Sequence, residues 1–101
     1  MYDMKNLNKL GSLEQNAGPA MKAYKAFDEA ALADGVIPKK YKELMAVAVA
    51  LTTQCPYCLE IHKKGAIAAG ATAEELAEMS FVVAALRAGA AVTHATHLMD
   101  K

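Results

Sequence analysis

Apolar residues return every three or four positions along most of the chain, the spacing that gathers them on one face of a helix. Met21, Tyr24, Phe27, Ala31 and Leu32 form one such stripe behind Gly18-Pro19, and Asp34-Gly35 closes it. A proline start and a glycine stop predict an amphipathic helix there. Pro38 opens a second helix carrying Tyr41, Leu44, Met45, Val47, Ala48 and Leu51. It is apolar on nearly every side except at Glu43, which predicts burial. Thr52-Thr53-Gln54 interrupts the pattern, and Pro56 fits the first turn of a third helix reaching about Ala69, with Gly70 as its stop. Thr72, followed by Glu74 and Glu75, reads as the cap and acidic first turn of a last helix. That helix runs through Met79, Val82, Val83 and Leu86 toward His97, with Gly89 as a point for a kink or division. Before Gly18 the signal is weaker: Leu7, Leu10 and Leu13 have helical spacing, but Asn6, Asn8, Gly11 and Ser12 interrupt it, which supports at most a short helix. No stretch alternates with the two-residue period of a half-buried strand. The expectation is an all-α fold of about five helices, one domain spanning 1–101.

Composition narrows the partners. Eleven basic and eleven acidic side chains cancel to zero net charge, and they are scattered, so nothing favours nucleic acid or an anionic membrane surface. The hydrophobic share of 54%, much of it alanine, suits closely packed helices. It also exceeds what so short a chain hides, and self-association is expected. The longest unbroken apolar run, 44–51, has eight residues, against the roughly 20 that cross a bilayer. Met1-Tyr2-Asp3-Met4-Lys5 lacks the apolar core of a signal peptide, which makes the reducing cytoplasm the expected compartment. There, two cysteines three residues apart point to redox chemistry or metal binding before a structural disulfide.

On a helix, Cys55, Cys58 and His62 project within about 60° of arc. The cysteines fall in or just before the first turn, where unpaired N–H groups and the positive helix end stabilise a thiolate, the reactive form. If the helices before and after Gln54 run antiparallel, Glu43 lies roughly 16 Å back from the turn and His62 roughly 12 Å forward, at about one level. A carboxylate in an apolar helix needs a partner, and an imidazole facing it would be oriented by the contact. Carboxylate, base and thiol form the general arrangement that activates a nucleophile. Cys-x-x-Cys-x-x-x-His also offers three soft ligands to zinc, with Glu43 or a subunit neighbour as the fourth. Ordinary alternatives exist at other positions. Glu43 could be a surface carboxylate pairing with Lys39 or Lys42, and His94 and His97 read as exposed terminal residues outside the site. The methionines and Tyr24, Phe27 and Tyr41 read as core or interface packing, and Tyr57 has no assigned role.

The order Glu43, Cys55, Cys58, His62, together with Ala48 to Gln54, Cys55-Pro56-Tyr57-Cys58, Ile61-His62 and Ala69 to Thr72, resembles the alkylhydroperoxidase AhpD-like branch of the carboxymuconolactone decarboxylase superfamily. The resemblance covers about residues 27–91. It implies an all-helical subunit assembling as homotrimers or homohexamers, and an antioxidant, peroxiredoxin-type thiol peroxidase and disulfide reductase without organic cofactor or metal. It further implies Cys58 as the peroxidatic nucleophile, Cys55 as proton donor and resolving thiol, and His62 with Glu43 as the proton relay. A peroxide or disulfide is the substrate, and an external dithiol, a lipoyl or thioredoxin-like protein, restores the pair. Tyr57 departs from the Cys-x-His-Cys form of the characterised peroxidases. A metal-binding or sensing module, and a lactone decarboxylase like the superfamily's namesake, are the alternatives.

Overall fold

The computed structural model describes residues 2–100. Among these there are five α-helices and no strand: α1 (Leu10–Asn16), α2 (Gly18–Leu32), α3 (Lys39–Thr53), α4 (Pro56–Ala68) and α5 (Ala73–His94), with 3-10 segments at Met4–Lys9 and Ala95–Met99. The punctuation works as the residue types dictate. Pro19 sits in the first turn of α2, and Pro38, extended at φ −60° and ψ 150°, caps α3 from outside. Asp34 accepts the Lys39 N–H at 2.6 Å, which anchors the connection to the start of α3. Gly70 takes the positive φ of 98° that ends α4. Thr72 and Glu75 form a reciprocal capping box at α5, each side chain accepting the other's backbone N–H at 3.0 and 2.9 Å. The other Glu75 oxygen holds Lys40 at 2.9 Å, so the same side chain pins the start of α5 to α3.

The most extensive helix contact is between α3 and α4. Only Gln54 and Cys55 separate the two helices, and Gln54 reverses the chain in the left-handed conformation at φ 55°. Glu43 of α3 meets His62 of α4, which fixes the pair as antiparallel. The core is small and rests on this pair: Leu44, Val47 and Ala50 from α3, Ala66 from α4 and Ala71, with Leu76 and Met79 of α5 packed beside them.

Two expectations need correction. α3 is buried along a single stripe, while Tyr41, Met45 and Val49 remain about half exposed because neither α2 nor α5 covers that flank within the chain. Helix α5 is not divided at Gly89 but runs unbroken to His94. A lone glycine costs a helix about 1 kcal/mol, and the alanines around it offset that. By length and composition alone the segment Ala73–Met99 is apolar enough to cross a membrane, although Glu74, Glu75, Glu78 and Arg87 interrupt it and no unbroken apolar run in it exceeds that of 44–51. No α5 residue is fully buried within the chain, Leu76 and Met79 being partly so, and Phe27, Phe81, Leu86 and Val92 are exposed. The radius of gyration is 17.1 Å, against about 13 Å for a closed domain of this length. A single chain therefore leaves much apolar surface uncovered.

Candidate active site

Cys55 is the N-cap of α4 and Cys58 sits in the first turn, with the two sulfurs 2.9 Å apart and both partly buried. Either thiol can donate in such a pair, and the backbone breaks the tie. The Cys58 N–H donates to Cys55 Sγ at 3.4 Å, so negative charge is better supported on Cys55. Hydrogen bonding from Cys58, by side chain and then by backbone, holds Cys55 below the ordinary thiol range. The same sulfur–sulfur contact, with burial, pushes Cys58 above it. Sequence reasoning credits the helix start to both cysteines, whereas the geometry gives its benefit to Cys55. Because the ionised form of Cys55 is the favoured one, a thiolate persists as pH falls below the ordinary thiol range. Cys58→Ala is expected to move that titration upward, read as ultraviolet thiolate absorbance against pH. An unmoved curve would remove the sulfur–sulfur contact as its cause.

Glu43 is 5% exposed, the one buried charged residue among those described. Its Oε2 lies 2.8 Å from His62 Nδ1 and its Oε1 3.5 Å from Lys39 Nζ, so neither oxygen is left without a partner. The expected carboxylate–imidazole pair is present, and the ordinary lysine partner is present beside it. Lys42 turns instead to the carbonyl of Ala33. Gly65, one turn past His62, is what admits the carboxylate. A Cβ there would lie 2.7 Å from Glu43 Cδ and Oε2 and 3.0 Å from Oε1. Sequence reasoning overlooked Gly65. The available signal was a glycine inside a helix, where it costs 0.5–1 kcal/mol against alanine, one turn from a candidate histidine.

Cys58 and His62 line one groove of about 540 Å³ whose walls include Phe27, Leu32 and Val49; Cys55 is not among them. The sulfur that faces the groove is thus the one held above the ordinary thiol range. Tyr57, between the cysteines, points elsewhere: its hydroxyl accepts from Asn6 Nδ2 at 2.9 Å, and its ring meets Tyr2 edge-on at 5.6 Å. The rings of His94 and His97 lie tilted with centroids 6.2 Å apart, in the last turn of α5 and the following segment, and neither borders the groove. Among the described residues no three His, Cys, Asp or Glu side chains converge as a metal ion requires.

Helical fold, dithiol at a helix start and buried acid–imidazole pair together define a small all-α protein built around a Cys-x-x-Cys centre. The chain belongs to the carboxymuconolactone decarboxylase family, whose signature matches residues 18–101. That match starts at α2 and extends past both ends of the resemblance seen in the sequence. It leaves α1 and the Asn6 segment outside. A Paracoccus denitrificans protein, "uncharacterized protein 4 in cox locus", is 45% identical over 85% of this chain and 78% of its own length. An uncharacterised Cupriavidus necator protein is 39% identical over 70% of this chain, which spans 63% of that relative. The crystal structure of an apo carboxymuconolactone decarboxylase family protein from Legionella pneumophila superposes with a TM-score of 0.77 at 30% identity, over 89% of this chain and 80% of that one.

Proposed function

We propose that the chain acts as an AhpD-like thiol peroxidase and disulfide reductase, with Cys55 and Cys58 as the redox couple. The observation that carries this reading is the 2.9 Å separation of two sulfurs, one of which, that of Cys58, shares a groove with an imidazole held by a buried acid. Cys58 passes its proton to the Cys55 thiolate and attacks the terminal peroxide oxygen. The S–O bond forms as the O–O bond breaks, which oxidises sulfur to a sulfenic acid and reduces the peroxide to an alcohol. Cys55 then displaces hydroxide from that sulfur to close the disulfide. An external dithiol, a lipoyl or thioredoxin-like protein, reduces it. Cys55, held below the ordinary thiol range, supports the resolving step, and the bare α5 and α2 faces support self-association, for which the AhpD-like reading expects a homotrimer or homohexamer.

Free-thiol titration before and after one equivalent of peroxide tests the reading. Loss of both thiols of the chain, with a Cys55–Cys58 bridge found by peptide mapping, is the expected result. Thiols that survive peroxide, or bridges only between chains, would overturn it. The family's name supports a second reading, lactone decarboxylation, which requires no thiol couple. Carbon dioxide release from a carboxymuconolactone by a chain lacking both cysteines would establish it.

A further inference from the structure

Helix α5 has one backbone but two surroundings. In its first half Leu76, Met79, Ser80 and Val83 recur at three- and four-residue spacing and are partly buried, with Leu76 and Met79 packed on the core. From Ala84 to Asp100 every residue is exposed. Leu86, Val92, Leu98 and Met99 stand 67–78% exposed, and Arg87 ties this half to the end of α3 by donating to the Thr52 carbonyl at 2.9 Å. The bare flank of α3 offers the complementary shape. A hollow of about 300 Å³ there is lined by Ala31, Leu32, Ile37, Met45, Ala46 and Val49. Four of these, Ala31, Leu32, Ala46 and Val49, also line the Cys58 groove, so the two hollows form one trough that reaches Cys58 and His62. The short side chains of Ala46 and Ala50 allow another helix to approach closely, while Phe27 and Val49 beside them are 71% and 60% exposed.

The surface area says how much cover is missing. One chain exposes 7726 Å², whereas about 5,500 Å² is usual for a folded monomer of its 10.7 kDa. The surplus of roughly 2,000 Å² is on the scale of what one partner brings to an obligate interface. A bilayer fits less well. Residues 84–99 reach roughly 25 Å, short of the ~30 Å hydrocarbon core, and Arg87 falls among them.

We propose that residues 84–99 of a second copy of the chain lie in the α2–α3 trough and supply a wall of the Cys58 groove, so that each dithiol site is built by two subunits. Helix and trough are different patches of the same chain, and the contact therefore joins copies either reciprocally about a two-fold axis or head-to-tail in a ring. The docked helix covers Phe27, Met45 and Val49 and screens Cys58 from bulk water. The docking is independent of the peroxidase reading, and only its consequence for turnover rests on that reading.

The test uses the full reduced chain and two measurements: mass in solution by analytical ultracentrifugation, and Cys58 alkylation by iodoacetamide, followed by peptide mapping. Leu86→Glu puts a charge on the docked helix at a side chain that its own chain leaves 67% exposed. The native chain is expected to sediment as an assembly and the variant as one chain of 10.7 kDa, with helix content by circular dichroism retained. Thiol reactivity follows exposure, so Cys58 alkylation should rise about tenfold in the variant. Val92→Glu should reproduce both effects. Co-expressing either variant with a chain whose two cysteines are serine and whose α5 is native should return Cys58 to slow alkylation, a rescue that requires the variant's trough to be folded. A native chain that sediments alone, or that leaves solution with phosphatidylcholine vesicles, overturns the proposal. Variants that stay assembled, dissociated variants with unaltered Cys58 alkylation, or failure of the thiol-free chain to rescue either variant overturn it as well. Peroxide turnover absent from the native assembly, with the alkylation contrast intact, overturns the peroxidase reading and leaves the shared site standing.

Discussion

Serine in place of Cys58 is expected to abolish dithiol-dependent peroxide turnover, a loss of roughly a thousandfold or more, since nothing else in the groove offers a comparable nucleophile. Serine in place of Cys55 should fail differently. Cys58 still faces the groove beside His62, so one equivalent of peroxide should yield a trappable sulfenic acid, with no bridge to follow. The contrast matters because acidity and access fall on different sulfurs: Cys55 is the better thiolate, yet Cys58 is the one the groove exposes. Mass spectrometry of single-turnover samples distinguishes the two assignments. Sulfenic acid on Cys55 in the Cys58→Ser chain, with turnover retained, would reverse the roles proposed for the pair.

A second large effect is expected from one methyl group. Alanine at Gly65 places a carbon 2.7 Å from the Glu43 carboxylate, well inside contact distance. The carboxylate ends a flexible side chain, so its swinging away costs less than parting α3 from α4. The swing breaks the 2.8 Å contact with His62. Peroxidase activity is therefore expected to fall about 10- to 100-fold, the usual scale for losing a group that orients a proton-transfer residue. Stability should fall by about 1–3 kcal/mol for overpacking, measured by urea unfolding. Glu43→Ala should lose comparable activity, and adding Gly65→Ala to it should cost little more, because the obstruction is gone. Strictly additive losses in that double-mutant cycle would mean that Gly65 acts through something other than the carboxylate.

What the sequence made legible is what local rules control. Pro38, Pro56, Gly70 and Thr72 punctuate the helices where their backbone chemistry requires. Counting helical rise from the turn brought Glu43 level with His62 although 19 positions separate them. The illegible part depends on partners that no local rule names. Nothing in the Cys-x-x-Cys spacing says which sulfur receives the Cys58 N–H, because that depends on Cys55 falling at the N-cap rather than inside the helix. Tyr57 could not be linked to Asn6, 51 positions away, since a hydrogen bond between polar side chains leaves no periodic trace. The exposure of Phe27, Tyr41 and Met45 was unreadable for another reason. Periodicity reports that a face is to be covered, and α3 expects more cover than its own chain supplies.

Four residues from Cys58 to His62 set more than proximity. Cys55 caps α4, whose first turn carries Cys58 and whose second carries the imidazole, with Gly65 on the turn after it. One residue inserted between Cys58 and His62 would leave the dithiol chemically intact while rotating everything beyond it by about 100°. His62 and Gly65 would face away from Glu43, and a bulkier side chain would meet the carboxylate. The phase of a single helix thus couples thiol to acid, and a chain that keeps its cysteines can still lose that synchrony to one codon.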